Sequence, residues 1–142
     1  MDFGEKVRKA RLAKNMSQTE LSKISGMSLR TIQNYENGGR KPQSRETYGK
    51  LAAALGIDVH DLMDDTDSFI INAHEQYGSR GRRQAEEVVR TFRVAAAGGE
   101  LDDDDLEFIK DAMMQTYLDA KKYNQRFANK PKKNAPTEED KS

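Results

Sequence analysis

Two short segments share one pattern: Leu21 and Ile24 in the first, Ile32 and Tyr35 in the second, each pair three residues apart among polar neighbours. That spacing sets each pair on one face of a helix. Ser17, with Glu20 three positions on, forms a capping-box pattern at the first helix start. Gly26 supplies the stop, because glycine reverses the chain without steric cost. Ser28 reads as the N-cap of the second helix, and Asn37, Gly38 and Gly39 as its end. Helices this short are marginal in water, so neighbouring helices must hold them.

Those neighbours are visible in the same periodicity. Phe3 to Asn15 reads as an amphipathic helix with Phe3, Val7, Ala10 (or Arg11) and Leu12 to one side. After Pro42 a loop leads to a helix over about Arg45 to Leu55, with Tyr48, Leu51, Ala52 and Leu55 apolar and Gly56 as terminator. Asp58 caps a last short helix whose Val59, Leu62 and Met63 close the core. Glu20, Leu21, Ile24, Ile32, Tyr35 and Leu51 read as core or capping residues. The pattern predicts five helices in about 65 residues and no strand.

The remainder is also helical in pattern. Asp64 to Ser68 reads as an acidic hinge, followed by a helix over about Ser68 to Tyr77 with Phe69, Ile70, Ala73 and Tyr77 on one side. The run from Gly78 to Arg83 reads as a break, punctuated by Gly78 and Gly81. From Arg83 to Ala97, Ala85, Val88, Val89, Phe92, Ala95 and Ala96 form a stripe, ended by Gly98 and Gly99. Asp102 caps a last helix, with Asp103 to Asp105 on the positive end of its dipole. Leu106, Ile109, Met113, Tyr117, Ala120, Asn124 and Phe127 make its stripe. Lys130 to Ser142, charged and with two prolines, reads as a disordered tail.

Three motifs occur together: S-Q-x-E-L-x-x-x-x-G-x-S from Ser17 to Ser28, E-N-G from Glu36 to Gly38, and A-x-x-L-G-I-x-x-x-x-L from Ala52 to Leu62. On these the stretch from about residue 3 to 64 resembles the Cro/C1-type helix-turn-helix family of phage and bacterial repressors, also called xenobiotic-response-element-like or lambda-repressor-like. Gln43-Ser44-Arg45 makes one loop a residue longer than the family's commonest form. The resemblance implies an all-α chain: a five-helix lambda-repressor-like domain over 1–65, then a C-terminal extension of two to three helices over 66–129 that dimerises or binds a partner, then the tail over 130–142. The later layout is similar, less specifically, to prophage and mobile-element regulators of Gram-positive bacteria.

The resemblance also implies a site. In the family, the start of the second helix and one further turn reach base edges. Here those residues are Ser28, Leu29, Arg30, Gln33 and Asn34. An arginine such as Arg30 bonds guanine in bidentate fashion, Gln33 or Asn34 suits adenine, and Leu29 suits a thymine methyl. Gln18, Thr31, Asn37, Gly38, Arg40, Lys41 and Ser44 fall at expected phosphate contacts, which fix register without reading sequence. Thr31 is structural rather than base-reading.

A net charge of zero looks wrong for a nucleic-acid binder until its distribution is read. Residues 1 to 57 carry 11 Lys and Arg against 5 Asp and Glu. Blocks 58 to 78 and 100 to 119 are acidic, whereas 79 to 99 and the last 23 residues are basic. Phosphate attraction thus lies in the helix-turn-helix half. The alternating blocks suit internal neutralisation, complementary subunits or simply solvated faces.

The candidate chemistry narrows further. There is no cysteine, hence no disulfide, thiolate metal site or cysteine nucleophile. His60 and His74 lack the spacing of a metal pair, and the Asp102 to Asp105 run lacks the glycine and terminal glutamate of a calcium loop. No phosphate-binding glycine loop or nucleophile elbow occurs, so we expect no enzyme, cofactor or metal. No apolar run suits a membrane and the N-terminus has no signal layout, so a cytoplasmic location is expected. The expected partners are double-stranded DNA and a second copy in a homodimer, with a protein anti-repressor or toxin as a further partner. The expected function is a sequence-specific transcriptional regulator, a repressor on a pseudo-palindromic operator. The alternatives are a DNA-binding antitoxin and a protein–protein adaptor.

Overall fold

The computed structural model describes residues 1–128, with side chains through residue 125. Six α-helices follow in order: α1 Phe3–Ala13, α2 Gln18–Ser25, α3 Leu29–Glu36, α4 Arg45–Leu55, α5 Asp65–Ala96 and α6 Asp103–Ala128, with a 3-10 turn Val59–Asp61 before α5. Among the described residues there is no strand. A first compact unit runs from Met1 to Glu75, and a second begins at Gln76. The side chain of Phe127 and the tail from Lys130 lie outside what is described.

Side chains start the helices of the first unit. Asp2 with Glu5, and Ser17 with Glu20, form complete capping boxes on α1 and α2. Ser28 and Ser44 accept the Thr31 and Thr47 amides at the starts of α3 and α4. Gly26 and Gly56, at φ 75° and 70°, end α2 and α4 in the left-handed region. Each cap satisfies amides that the helix itself leaves unpaired, contributing typically about 1 kcal/mol.

Val7, Leu21, Ile32, Tyr48, Leu51, Leu55 and Leu62 are almost wholly buried and make the core. The Phe3 ring meets Tyr35 and Tyr48 edge-on, with centroids 5.6 and 5.7 Å away. Gly4 allows this approach of α1 to the end of α3. A Cβ there would lie 2.7 Å from the Glu36 carbonyl oxygen and 2.8 Å from that of Tyr35.

Several expectations require correction. Leu12 and Ile24 are 53% and 61% exposed, and Arg11 is the residue buried on α1 beside Phe3 and Val7. The expected fifth short helix is only the 3-10 turn. Asp64 to Ser68 is not a hinge but the start of α5. Asp64 accepts the Asp67 amide at 2.9 Å and the Thr66 hydroxyl at 2.7 Å, while Asp67 accepts the Asp64 amide at 3.1 Å. The acids serve as helix-start acceptors. Phe69, Ile71 and Ala73 are buried, and Ile71, rather than the expected Ile70, joins the core.

In the second unit, α5 is interrupted at Gly78 alone, at φ 72° and ψ −162°, a conformation essentially reserved for glycine. Gly81 does not break the chain; it is helical and buried. Ala85 and Val89 are buried, and Ala95 of the expected stripe is exposed. Asp102 caps α6 through the Asp105 amide. The Tyr117 hydroxyl lies 3.2 Å from the Gly81 carbonyl and 3.1 Å from Gln84 Oε1. Lys121 sits 5.2 Å above the Tyr77 ring. Higher positions on α6 thus meet lower ones on α5, so the two run antiparallel. Ala120 and Asn124, expected in the α6 stripe, are exposed.

Two outcomes follow from this packing. Gly4→Ala gains about 1 kcal/mol of helix propensity but drives a methyl into two carbonyls. Overpacking costs typically about 1–3 kcal/mol, so urea unfolding should report a net loss of stability. Asp64 tests the start of α5. Burial pushes its carboxyl up, but the Asp67 amide, the Thr66 hydroxyl and the Lys41 charge bring it down to about 2. A carboxyl lowered on folding stabilises above its unfolded value near pH ~4, and the contribution fades as pH falls to about 2. The stability of Asp64→Asn, measured by urea titration across that window, should fall less steeply than that of the parent.

Candidate nucleic-acid interface

α2 and α3 are joined by three residues, Gly26 to Ser28, that side chains staple in place. Ser22 Oγ donates to the Met27 carbonyl at 2.6 Å, and the Met27 amide reaches Ser25 Oγ at 3.3 Å. Leu21 from α2 and Ile32 from α3 are both fully buried. The angle between the helices is therefore set by bonds at the turn and by packing beneath it.

The far end of α3 is fixed by a buried ion pair. Arg11 Nε donates to Glu36 Oε2 at 2.7 Å and Arg11 Nη2 to Oε1 at 2.9 Å. Nη1 donates to the Met16 carbonyl at 2.8 Å, and Gln18 Nε2 adds a bond to Glu36 Oε1 at 3.2 Å. The Arg11 and Glu36 side chains are only 10% and 5% exposed. The hydrogen bond to Glu36 holds the guanidinium proton more tightly than usual, outweighing burial. Sequence reading missed this pair. Its signals were an arginine on the apolar side of α1 and a glutamate at the negative end of α3, where an acid is unfavourable without a cation.

With Ile32 and Tyr35 inside, the opposite face of α3 carries Leu29, Arg30, Gln33 and Asn34. Leu29 is 39% exposed, Arg30 and Gln33 are exposed, and Asn34 is half-buried. These residues fall within an arc of about 140° around the helix, on the side away from Ile32 and Tyr35, so one surface would meet them together. The Ser28 hydroxyl accepts the Thr31 amide and lies 2.8 Å from Thr31 Oγ1, so both hydroxyls shape the first turn.

The expected phosphate-contacting residues divide into two groups. Asn37, Gly38 and Arg40 are exposed, with Gly38 at φ 81° turning the chain away from α3. Pro42 is buried and anchors the loop, and Ser44 caps α4. Gln18 and Lys41 already have protein partners. Gln18 serves Glu36, and Lys41 Nζ lies 2.8 Å from Asp67 Oδ1, on a side chain only 6% exposed. Arg45 beside them pairs with Glu75 at 3.2 Å. Acids of α5 thus answer two cations flanking Ser44, a link across 26 and 30 residues that local spacing does not reveal. Among the described residues no group of three or more His, Cys, Asp or Glu could hold a metal ion, and no helix is long and apolar enough to cross a membrane.

Residues 7–62 match the family model described as helix-turn-helix. This part of the chain is a helix-turn-helix domain. A protein of Bacillus subtilis (strain 168), named as the uncharacterized HTH-type transcriptional regulator RghRB, is 38% identical over 61 residues. That stretch is 43% of this chain and 44% of the relative, so the likeness spans less than half of either. The helix-turn-helix domain agrees with the all-α expectation, and α3 is its second helix.

The ion pair yields a direct test. Arg11→Met leaves Glu36 buried and without its cation, which costs typically about 3–5 kcal/mol. Thermal unfolding should show a large drop for Arg11→Met. A surface change such as Lys9→Met should stay within about 0.5 kcal/mol.

Proposed function

We propose that this protein is a sequence-specific DNA-binding transcriptional regulator, a repressor that occupies a pseudo-palindromic operator as a dimer. The observation that carries the reading is the outer face of α3: Leu29, Arg30 and Gln33 stand exposed on a helix held at both ends. Such a face offers a bidentate donor, an amide and an apolar contact, the groups that distinguish base pairs in the major groove. The helix-turn-helix match over residues 7–62 and the regulator name of the Bacillus subtilis relative support the same reading.

Repression follows from geometry of binding rather than chemistry. A protein seated on a promoter excludes polymerase by occupying the same duplex. One short helix reads few base pairs, so two copies on half-sites about 34 Å apart multiply specificity. Exposed Asn37, Gly38 and Arg40 would lie along the backbone and set register.

Selection of bound duplexes from a random pool should return an inverted repeat. Recovery of no preferred sequence would sink the reading. On that repeat, Arg30→Ala should cost about 1–3 kcal/mol at one base position per half-site and little elsewhere. Lys41→Ala should weaken binding uniformly and lower the log–log salt slope by no more than about 0.9 per subunit, because Asp67 already holds part of that charge. Gel shifts over a salt series would measure both.

A further inference from the structure

Lys41, an expected phosphate contact, and Arg45 four residues on are both held by acids of α5. Asp67, Ile71 and Glu75 are likewise four residues apart, neighbours along one side of that helix. Ile71 belongs to the core, so the row is anchored on the first unit, which contains both pairs. Lys41 Nζ donates to Asp67 Oδ1 at 2.8 Å, and Arg45 Nε to Glu75 Oε1 at 3.2 Å. A carboxylate oxygen at that distance offers a cation the same charge-assisted bond that a phosphate oxygen offers.

The two pairs differ in weight. Asp67 is buried, and its other oxygen accepts the Asp64 amide at 3.1 Å, so it is held in place. Lys41 keeps 44% of its side chain open on a long flexible stem. The cation is thus the mobile partner and the acid the fixed one. Burial on one side also protects this pair from screening by salt. Arg45 and Glu75 are each nearly half exposed, and pairs of that kind contribute little.

We propose that Asp67 competes with duplex phosphate for Lys41, and that Glu75 does the same, more weakly, for Arg45. The start of α5 thereby sets how tightly the domain holds any duplex. Each cation must give up its carboxylate before it engages the backbone fully, so part of its attraction is cancelled within the chain. The outer face of α3 takes no part, so sequence preference stays as it is. This assignment rests on the DNA-binding reading above and names the residues that restrain it.

Fluorescence anisotropy of the full-length protein on a random duplex and on the selected operator, over a salt series, tests it. Asp67→Asn keeps a side-chain oxygen for the Asp64 amide and removes the charge. It should tighten both duplexes alike, by at least about threefold at roughly 0.1 M salt, and steepen the log–log slope by up to about 0.9 per subunit. In a Lys41→Gln background the same change should leave the slope unaltered, because no cation remains to be released. Unchanged affinity and slope in Asp67→Asn would overturn the competition and leave DNA binding standing. Equal steepening in the Lys41→Gln background would mean a general effect of charge and overturn it too, as would tightening confined to the operator. If circular dichroism shows that Asp67→Asn loses helix, the exposed Glu75→Gln decides. A smaller steepening that Arg45→Gln abolishes is then expected, and no steepening would overturn the proposal. A wild type with no salt-dependent binding to any duplex would remove the DNA-binding reading itself, and this assignment with it.

Discussion

The Arg11–Glu36 ion pair is the constraint on which the arrangement of the first unit depends. One guanidinium reaches the end of α3 and the carbonyl of Met16 at once, and Gln18 at the start of α2 bonds the same glutamate. Three helices are thereby tied at a single buried point. Desolvating both charges offsets most of their attraction, so the pair adds little net stability over a hydrophobic replacement. Its contribution is directional. A bidentate fork fixes angle as well as distance, which greasy contacts between α1 and α3 would leave freer. Because α3 is positioned from its ends and its inner side, its outer side is free to carry polar residues that the fold itself does not require.

Much of the first unit was legible because its signals are local. A serine or aspartate followed three residues later by its amide partner starts each helix, and glycines at positive φ stop α2 and α4. The buried Leu21, Ile32, Tyr35, Tyr48 and Leu51 follow from period alone. Period fails where neighbouring residues compete for one face. Ile24 lost to helix geometry at the rim of α2, Leu12 lost to an arginine, and Ile70 lost to Ile71. The acidic run at Asp64 was ambiguous for a different reason. The same residue types that discourage helix interiors also open helices, and only the hydrogen bonds decide between the two. Partners 25 or more residues away, as for Arg11 and Lys41, leave no trace in local spacing.

The candidate site was legible in part for the same reason. Which residues of α3 face outward follows from Ile32 and Tyr35 facing in. What the loop after α3 does with its cations could not be read, because that depends on α5. The helix-turn-helix match ends at residue 62, whereas the first compact unit continues to Glu75. The start of α5 is thus structurally part of the unit that carries the site.

On the proposed function, that continuation has a kinetic consequence. Asp67 and Glu75 offset Lys41 and Arg45 beside the expected contact loop, and would so trim the indiscriminate pull of a polyanion. Weaker grip on random sequence shortens each unproductive stay. On that reading, the time a molecule takes to scan a chromosome for its target is governed less by escape from wrong positions, and the fidelity of the final choice rests with the uncharged and arginine residues proposed to read bases from α3.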